Sequence, residues 1–198
     1  MPETHQQETD WNALIARAIQ GNDAAASRIV GELHGHVLRI VRNHLPRAAD
    51  EQDLVQEVFM KVFANIHRFR GEQPFPHWVA RISINTCLDH LRRQKSRAEV
   101  RFTDLSSEDS EFIDALLADQ SAPDPTQSRD GRGLIEQLLA TLKPEEQTLL
   151  RLLDLEKRPV REICSLTGWG ASKVKVTAMR ARRKLNGNLA KLEQQLRP

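Results

Sequence analysis

Between Phe102 and Ser128 the chain carries no lysine or arginine. Seven acidic residues stand there instead: Asp104, Glu108, Asp109, Glu111, Asp114, Asp119 and Asp124. Ser106-Ser107, Pro123 and Pro125 interrupt the same stretch. Like charges repel and prolines break regular hydrogen bonding, so such a segment does not build a packed core. It divides the 198 residues into two blocks of apolar periodicity. A chain of this length suits one ordinary domain or two small ones. The cut predicts domains over 8–97 and 132–198, joined by an acidic linker over 98–131. Phe112 to Leu117 is expected to form a short helix or a docking segment within that linker.

Both blocks read as helices, and no β-alternation of useful length interrupts them. In the first block, Asp10 is an N-cap for a helix with Leu14, Ile15, Ala18 and Ile19 on one face. Gly21-Asn22 ends it. Asp23 then caps a helix with Ala26, Ile29, Val30, Leu33, Val37, Ile40 and Val41 on its apolar side, stopped at Pro46. A third helix from about Asp50 repeats Leu54, Val58, Val62 and Ile66, with Val55, Phe59 and Phe63 beside them. Gly71, Pro74 and Pro76 mark a loop. A fourth helix follows from about His77 to Lys95, with Ala80, Ile84, Cys87, Leu88 and Leu91 inward. The second block opens with a helix bearing Leu134, Ile135, Leu138, Leu139 and Leu142. Pro144 sits in the first turn of the next helix, where its missing N–H costs little. A short helix with Val160, Ile163, Cys164 and Leu166, the turn Thr167 to Gly170, and a basic helix from Ala171 or Ser172 complete it. The fold class is all-α, with two small helical domains and a helix-turn-helix in the second.

That turn and its flanking helices point to DNA. A short helix, a sharp glycine turn and a second helix rich in cations suit the major groove. Ser172, Lys173, Lys175, Val176 and Thr177 are positioned for base edges; Arg180, Arg182, Arg183 and Lys184 for phosphates. The plainer alternative is a solvated basic face on a bundle. Trp169 is expected as an anchor packed over the turn. On the third helix, Asp53, Gln56, Glu57 and Met60 make a stripe opposite the apolar one. It is either ordinary surface or a docking face, where methionine packs adaptably and carboxylates pair with arginine. On the fourth helix, Trp78, Arg81, Asn85 and Arg92 fall on one side. Aromatic, amide and guanidinium groups suit unstacked bases, and the Phe69 to Phe75 loop can wall a pocket for one flipped base. Core packing is the alternative for Trp78.

Other functions find no support. The chain has no P-loop, dinucleotide fingerprint, nucleophile elbow or zinc-protease motif, so an enzyme is not expected. His34 and His36 lack further ligands at metal spacing, and no cofactor or metal is expected. Cys87 and Cys164 lie in apolar patterns and read as buried hydrophobes. Met1 to Asp10 is polar, and no run of about 18 apolar residues exists. A cytoplasmic protein with no membrane contact of its own is expected.

The ordered motifs resemble extracytoplasmic-function (ECF) sigma factors of RNA polymerase. Asp50-Glu51-Gln52-Asp53-Leu54-Val55-Gln56-Glu57-Val58-Phe59 resembles their polymerase-binding signature. Phe69-Arg70-Gly71-Glu72 with Phe75, Trp78, Arg81, Ile82, Asn85 and Asp89-His90-Leu91-Arg92-Arg93 resembles their promoter-melting segment. Leu142 to Glu146 and the helix-turn-helix ending Arg180-Ala181-Arg182-Arg183-Lys184-Leu185 resemble their second DNA-binding domain. The resemblance implies an alternative sigma factor that binds core RNA polymerase, recognises promoter DNA and helps melt it. It assigns polymerase docking to the helix of Asp53, Gln56, Glu57 and Met60. It assigns the minus-ten element to Phe69, Phe75, Trp78, Arg81, Asn85 and Arg92. Ser172, Lys173, Lys175, Thr177, Arg180, Arg182 and Arg183 take the minus-thirty-five element. It further implies an anti-sigma partner, a stress-response role, and a linker threading towards the RNA exit. The chain departs from the family at Val176-Thr177, where a Ser-Arg pair is frequent. The rival architecture, a helix-turn-helix regulator with a sensing domain, leaves the Asp53 stripe and the Trp78 to Asn85 pattern without a purpose.

Overall fold

A computed structural model describes residues 9–45, 51–103 and 131–195. Every regular element in them is helical: α1 (Trp11–Ile19), α2 (Asp23–His44), α3 (Glu51–Asn65), α4 (Phe75–Thr103), α5 (Gly131–Ala140), α6 (Pro144–Leu150), α7 (Val160–Thr167) and α8 (Ala171–Gln195). A 3-10 turn follows α3 at Ile66–Arg68, and a π-helical turn follows α6 at Arg151–Leu155. These residues group into two compact units. One holds the chain up to Thr86 except the end of α2; the other holds that end and the chain from Cys87 on. The division falls within α4, which continues to Thr103 instead of stopping near Lys95. The acidic stretch, including Phe112 to Leu117, lies outside the described residues. Among the described residues no helix is long and apolar enough to cross a membrane.

In the first unit the apolar repeats become the core. Ile29, Leu33, Val37, Ile40 and Val41 from α2 are buried, as are Leu54, Val55, Val58, Phe59 and Val62 from α3 and Val79, Ala80 and Ile84 from α4. Polar ties join neighbouring helices. Arg42 Nε donates to Glu51 Oε2 at 2.8 Å, and Lys61 Nζ donates to Thr86 Oγ1 at 3.3 Å. Asp10 caps α1 through Oδ1, which accepts from the Ala13 N–H at 3.1 Å. The cap of α2 is Asn22, not Asp23: its Oδ1 accepts from the Ala25 N–H at 2.9 Å. Asp23 is the first helical residue, where its charge still favours the helix dipole. Starting the helix there buries Ala25 and leaves Ala26 half-buried. Ile19, expected inward, is exposed beside Gly21, whose φ of 81° turns the chain into α2.

In the second unit α8 packs against α5, α6 and α7. Leu139, Leu142, Leu150 and Ala181 form a buried cluster with Leu185 packed on it. Leu134 and Ile135, expected on the packed face of α5, are exposed. Three polar links fix α8. Lys184 Nζ donates to both oxygens of the buried Glu146, at 2.8 and 3.1 Å. Asn188 Nδ2 donates to Thr141 Oγ1 at 2.7 Å. Arg182 holds Asp154 through two hydrogen bonds, at 2.6 and 3.1 Å. Pro144 opens α6, and the Lys143 N–H donates to Glu146 Oε2 at 3.0 Å. The buried Arg151 reaches Glu136 with both terminal nitrogens.

Candidate functional site

The outward edge of α3 follows from its inward one. Because Leu54, Val55, Val58, Phe59 and Val62 take the buried side, Asp53 and Gln56 point to solvent. Met60 is 66% exposed, a large apolar side chain with no core to fill. Glu57 is half-buried and pairs with Lys61 one turn on, at 2.8 Å. The four residues thus share one continuous edge of acid, amide and thioether.

The loop ahead of α4 is organised by four aromatic rings. Gly71 takes a φ of 73°, which L side chains rarely adopt, and the chain reverses there. Phe75 is 1% exposed. Its ring lies 5.3 Å from Trp11, 5.1 Å from Phe69 and 5.6 Å from Trp78, centroid to centroid. Phe69 also meets Trp78 edge-on at 5.6 Å. Phe75, expected as a base contact, is therefore a core residue that backs Phe69 and Trp78. Those two stay half-buried and present their remaining surface outward. Nothing local in the sequence ties Trp11 to a loop some sixty residues on.

Along α4, Trp78, Arg81, Asn85 and Arg92 keep one side of the helix. Arg81 is exposed and Asn85 half-buried. Asn85 Nδ2 donates to the Arg81 carbonyl at 2.8 Å, which leaves its amide oxygen facing away from the helix backbone. Arg92 Nη1 donates to Asp89 Oδ1 at 3.1 Å.

The helix-turn-helix is built on Gly168. It adopts the left-handed conformation, φ 74° and ψ 11°, and its N–H closes α7 on the Cys164 carbonyl at 2.9 Å. Thr167 Oγ1 donates to the Ile163 carbonyl at 2.7 Å and accepts from the Trp169 N–H at 3.2 Å. The Val174 N–H donates to the Gly170 carbonyl at 3.0 Å and starts α8. Val174, Ala178 and Ala181 bury the inner side of α8. Ser172, Lys173, Lys175, Arg180 and Arg183 are exposed, and Thr177 is half-buried. Lys173 Nζ lies 4.6 Å above the Trp169 ring, so the half-buried indole also positions a cation at the start of the helix. Arg182 is exposed, but its charge is already engaged. The hydrogen bonds to Asp154, ahead of its slight burial, hold its pKa above the usual guanidinium value. It braces α8 against the π-helical turn.

Comparison with known proteins completes the assignment. The family model for Sigma-70 region 2 matches residues 29–97, and that for Sigma-70, region 4 matches residues 132–185. RNA polymerase sigma factor YlaC of Bacillus subtilis is 30% identical over 78% of this chain and 84% of its own. The chain belongs to the sigma-70 family of RNA polymerase sigma factors. Within it the ECF group is indicated. The ECF RNA polymerase sigma-E factor of Haemophilus influenzae is 28% identical over 94% of this chain and 98% of its own. The RNA polymerase sigma-H factor of Pseudomonas aeruginosa is 28% identical over 94% and 96%. The fold is shared with two solved structures. CnrH in complex with the cytosolic domain of CnrY gives a TM-score of 0.54 at 19% identity, covering 90% of this chain and 96% of that one. The sigma factor RpoE in complex with the anti-sigma factor NepR from Bartonella quintana gives 0.51 at 16%, covering 83% and 96%. This sigma factor binds RNA polymerase and promoter DNA to initiate transcription; it is an initiation factor, not a catalyst.

Proposed function

We propose a division of labour for this ECF sigma factor among three helices. The α3 edge of Asp53, Gln56, Glu57 and Met60 docks on a basic, helical surface of core polymerase. Carboxylates pair there with arginine, and the exposed thioether fills the apolar gap. The outer side of α4, with Phe69, captures an unstacked base of the minus-ten element. Trp78 offers a stacking surface, Asn85 an amide that both donates and accepts, and Arg81 and Arg92 cations for the flanking phosphates. Phe75 contributes as the floor beneath Phe69 and Trp78. Ser172, Lys173, Lys175 and Thr177 at the start of α8 face base edges of the minus-thirty-five element, with Arg180 and Arg183 on the backbone. Arg182 supports the helix through Asp154. The acidic stretch between α4 and α5, over 104–130, threads the polymerase towards the RNA exit. The protein works in the cytoplasm, answers a stress signal, and is held inactive by an anti-sigma factor. The solved complex of the sigma factor RpoE with the anti-sigma factor NepR supports this last reading.

The observation that carries the proposal is the wall of Phe69 and Trp78 on the side of α4 that also bears Asn85, two turns further on. An aromatic wall and an amide on one helix side are a poor solvent surface and a good receptor for one flipped base. Asn85→Ala tests it. Promoter opening, read by permanganate reactivity of unpaired thymines, is expected to fall at least tenfold while closed-complex affinity changes less than threefold. Equal losses in both complexes refute the base-capture role.

A further inference from the structure

Two exposed apolar side chains sit where a merely solvated basic helix has no use for them. Val176 is 42% exposed and Met179 57%. At 3.6 residues per turn they share about 60° of the circumference of α8 with Ser172 and Arg183. This strip lies opposite the buried Val174, Ala178 and Ala181. Lys173 and Arg180 border it on one edge, and Lys175 on the other. The outermost line of α8 therefore carries two adjacent apolar side chains, Val176 and Met179, between Ser172 and Arg183, with cations to both sides.

That cross-section matches one surface closely. The major groove of duplex DNA has phosphates along its rims, which suit Arg180 at one edge of the strip, and base edges along its floor within reach of Lys173 and Lys175. Its floor is polar except for one group, the C5 methyl of thymine. An apolar helix crest between basic edges meets those methyls and buries them from water, whereas a guanine or cytosine edge would leave polar atoms against valine and methionine. We infer that Val176 and Met179 read thymine methyl groups, so the upstream promoter element of this sigma factor contains thymine at one or two positions under the centre of α8. This deepens, and rests on, the reading of α8 as the minus-thirty-five helix. The cationic edges favour DNA over a protein partner, whose apolar contact would be insensitive to a base methyl.

The test uses the full chain bound to core polymerase. The preferred upstream element is first selected from a randomised duplex library. Each thymine in it is then replaced singly by deoxyuridine, which removes the methyl and nothing else. Roughly threefold to tenfold weaker binding is expected at one or two thymines. Val176→Ala or Met179→Ala removes that penalty at one of them. Both side chains are exposed, so the variants keep the fold, which thermal unfolding checks. A selected element without thymine, an absent deoxyuridine penalty, or the same penalty in both variants overturns the inference and leaves α8 as a DNA reader. Failure to select any upstream element overturns that reading as well.

Discussion

Phe75→Ala separates a core aromatic from a base contact. Phe75 is almost wholly buried and meets three other rings within 5.1 to 5.6 Å. Truncating a buried phenylalanine costs about 3–5 kcal/mol, because transfer energy is lost and a cavity remains. Each of the three ring pairs is worth about 0.5–1.5 kcal/mol beyond burial, which argues for the upper part of that range. Small domains have about 5–15 kcal/mol in all, so the alanine variant sits near the edge of folding. Phe75→Leu is the informative companion. It keeps most of the volume and loses the three ring pairings, for a cost of at least about 1.5 kcal/mol. Urea titration, followed by fluorescence of Trp11 and Trp78 on either side of Phe75, reads both losses. Promoter opening by the leucine variant should fall only as far as Phe69 and Trp78 shift. A stability loss below about 1 kcal/mol for Phe75→Ala, with promoter opening abolished, would refute the reasoning and restore Phe75 as a direct contact.

Asp53→Arg and Glu57→Arg should each weaken core-polymerase affinity by at least tenfold in a competition assay, with thermal unfolding almost unchanged, since the Glu57–Lys61 pair is an i,i+4 surface pair worth about 0.3–0.5 kcal/mol. Unaltered affinity in both variants speaks against α3 as the docking edge. Gly168→Ala puts a side chain at a φ of 74° and should cost about 1–2 kcal/mol in thermal unfolding; no loss means that the turn relaxes without its left-handed residue. Arg183→Ala should shallow the salt dependence of DNA binding by about one counterion, whereas Arg182→Ala and Asp154→Ala should each cost up to about 1 kcal/mol of stability, their double variant costing no more than either. A salt slope that changes only with Arg182 reverses that assignment.

Features set by neighbours in sequence were the legible ones. Leu54, Val58 and Val62 recur at helical spacing, so α3 and its exposed edge follow from the same pattern. Asp10 as a cap, Pro144 at a helix start and the glycine turn before α8 are local chemistry too. Errors gathered where distant partners decide. A phenylalanine between two prolines reads as loop, and Trp11 and Phe69, remote in sequence, help Trp78 enclose Phe75. The bond of Arg182 to Asp154, 28 residues earlier, has no local signal either. Asn22 and Asp23 are both good caps, and one hydrogen bond to Ala25 separates them. Ile19, Leu134 and Ile135 continue apolar runs near helix ends, where burial stops before the pattern does.

The central claim is that α3 holds polymerase while α4 and α8 choose the promoter. Its most direct test is transcription by core polymerase from a library randomised upstream of the start site, with the full chain, with Asp53→Arg, and with no factor added. Transcripts enriched for two separated upstream elements are expected with the full chain, and no more than the core-only background with Asp53→Arg. Factor-dependent transcripts without sequence enrichment, or full activity from Asp53→Arg, would contradict it.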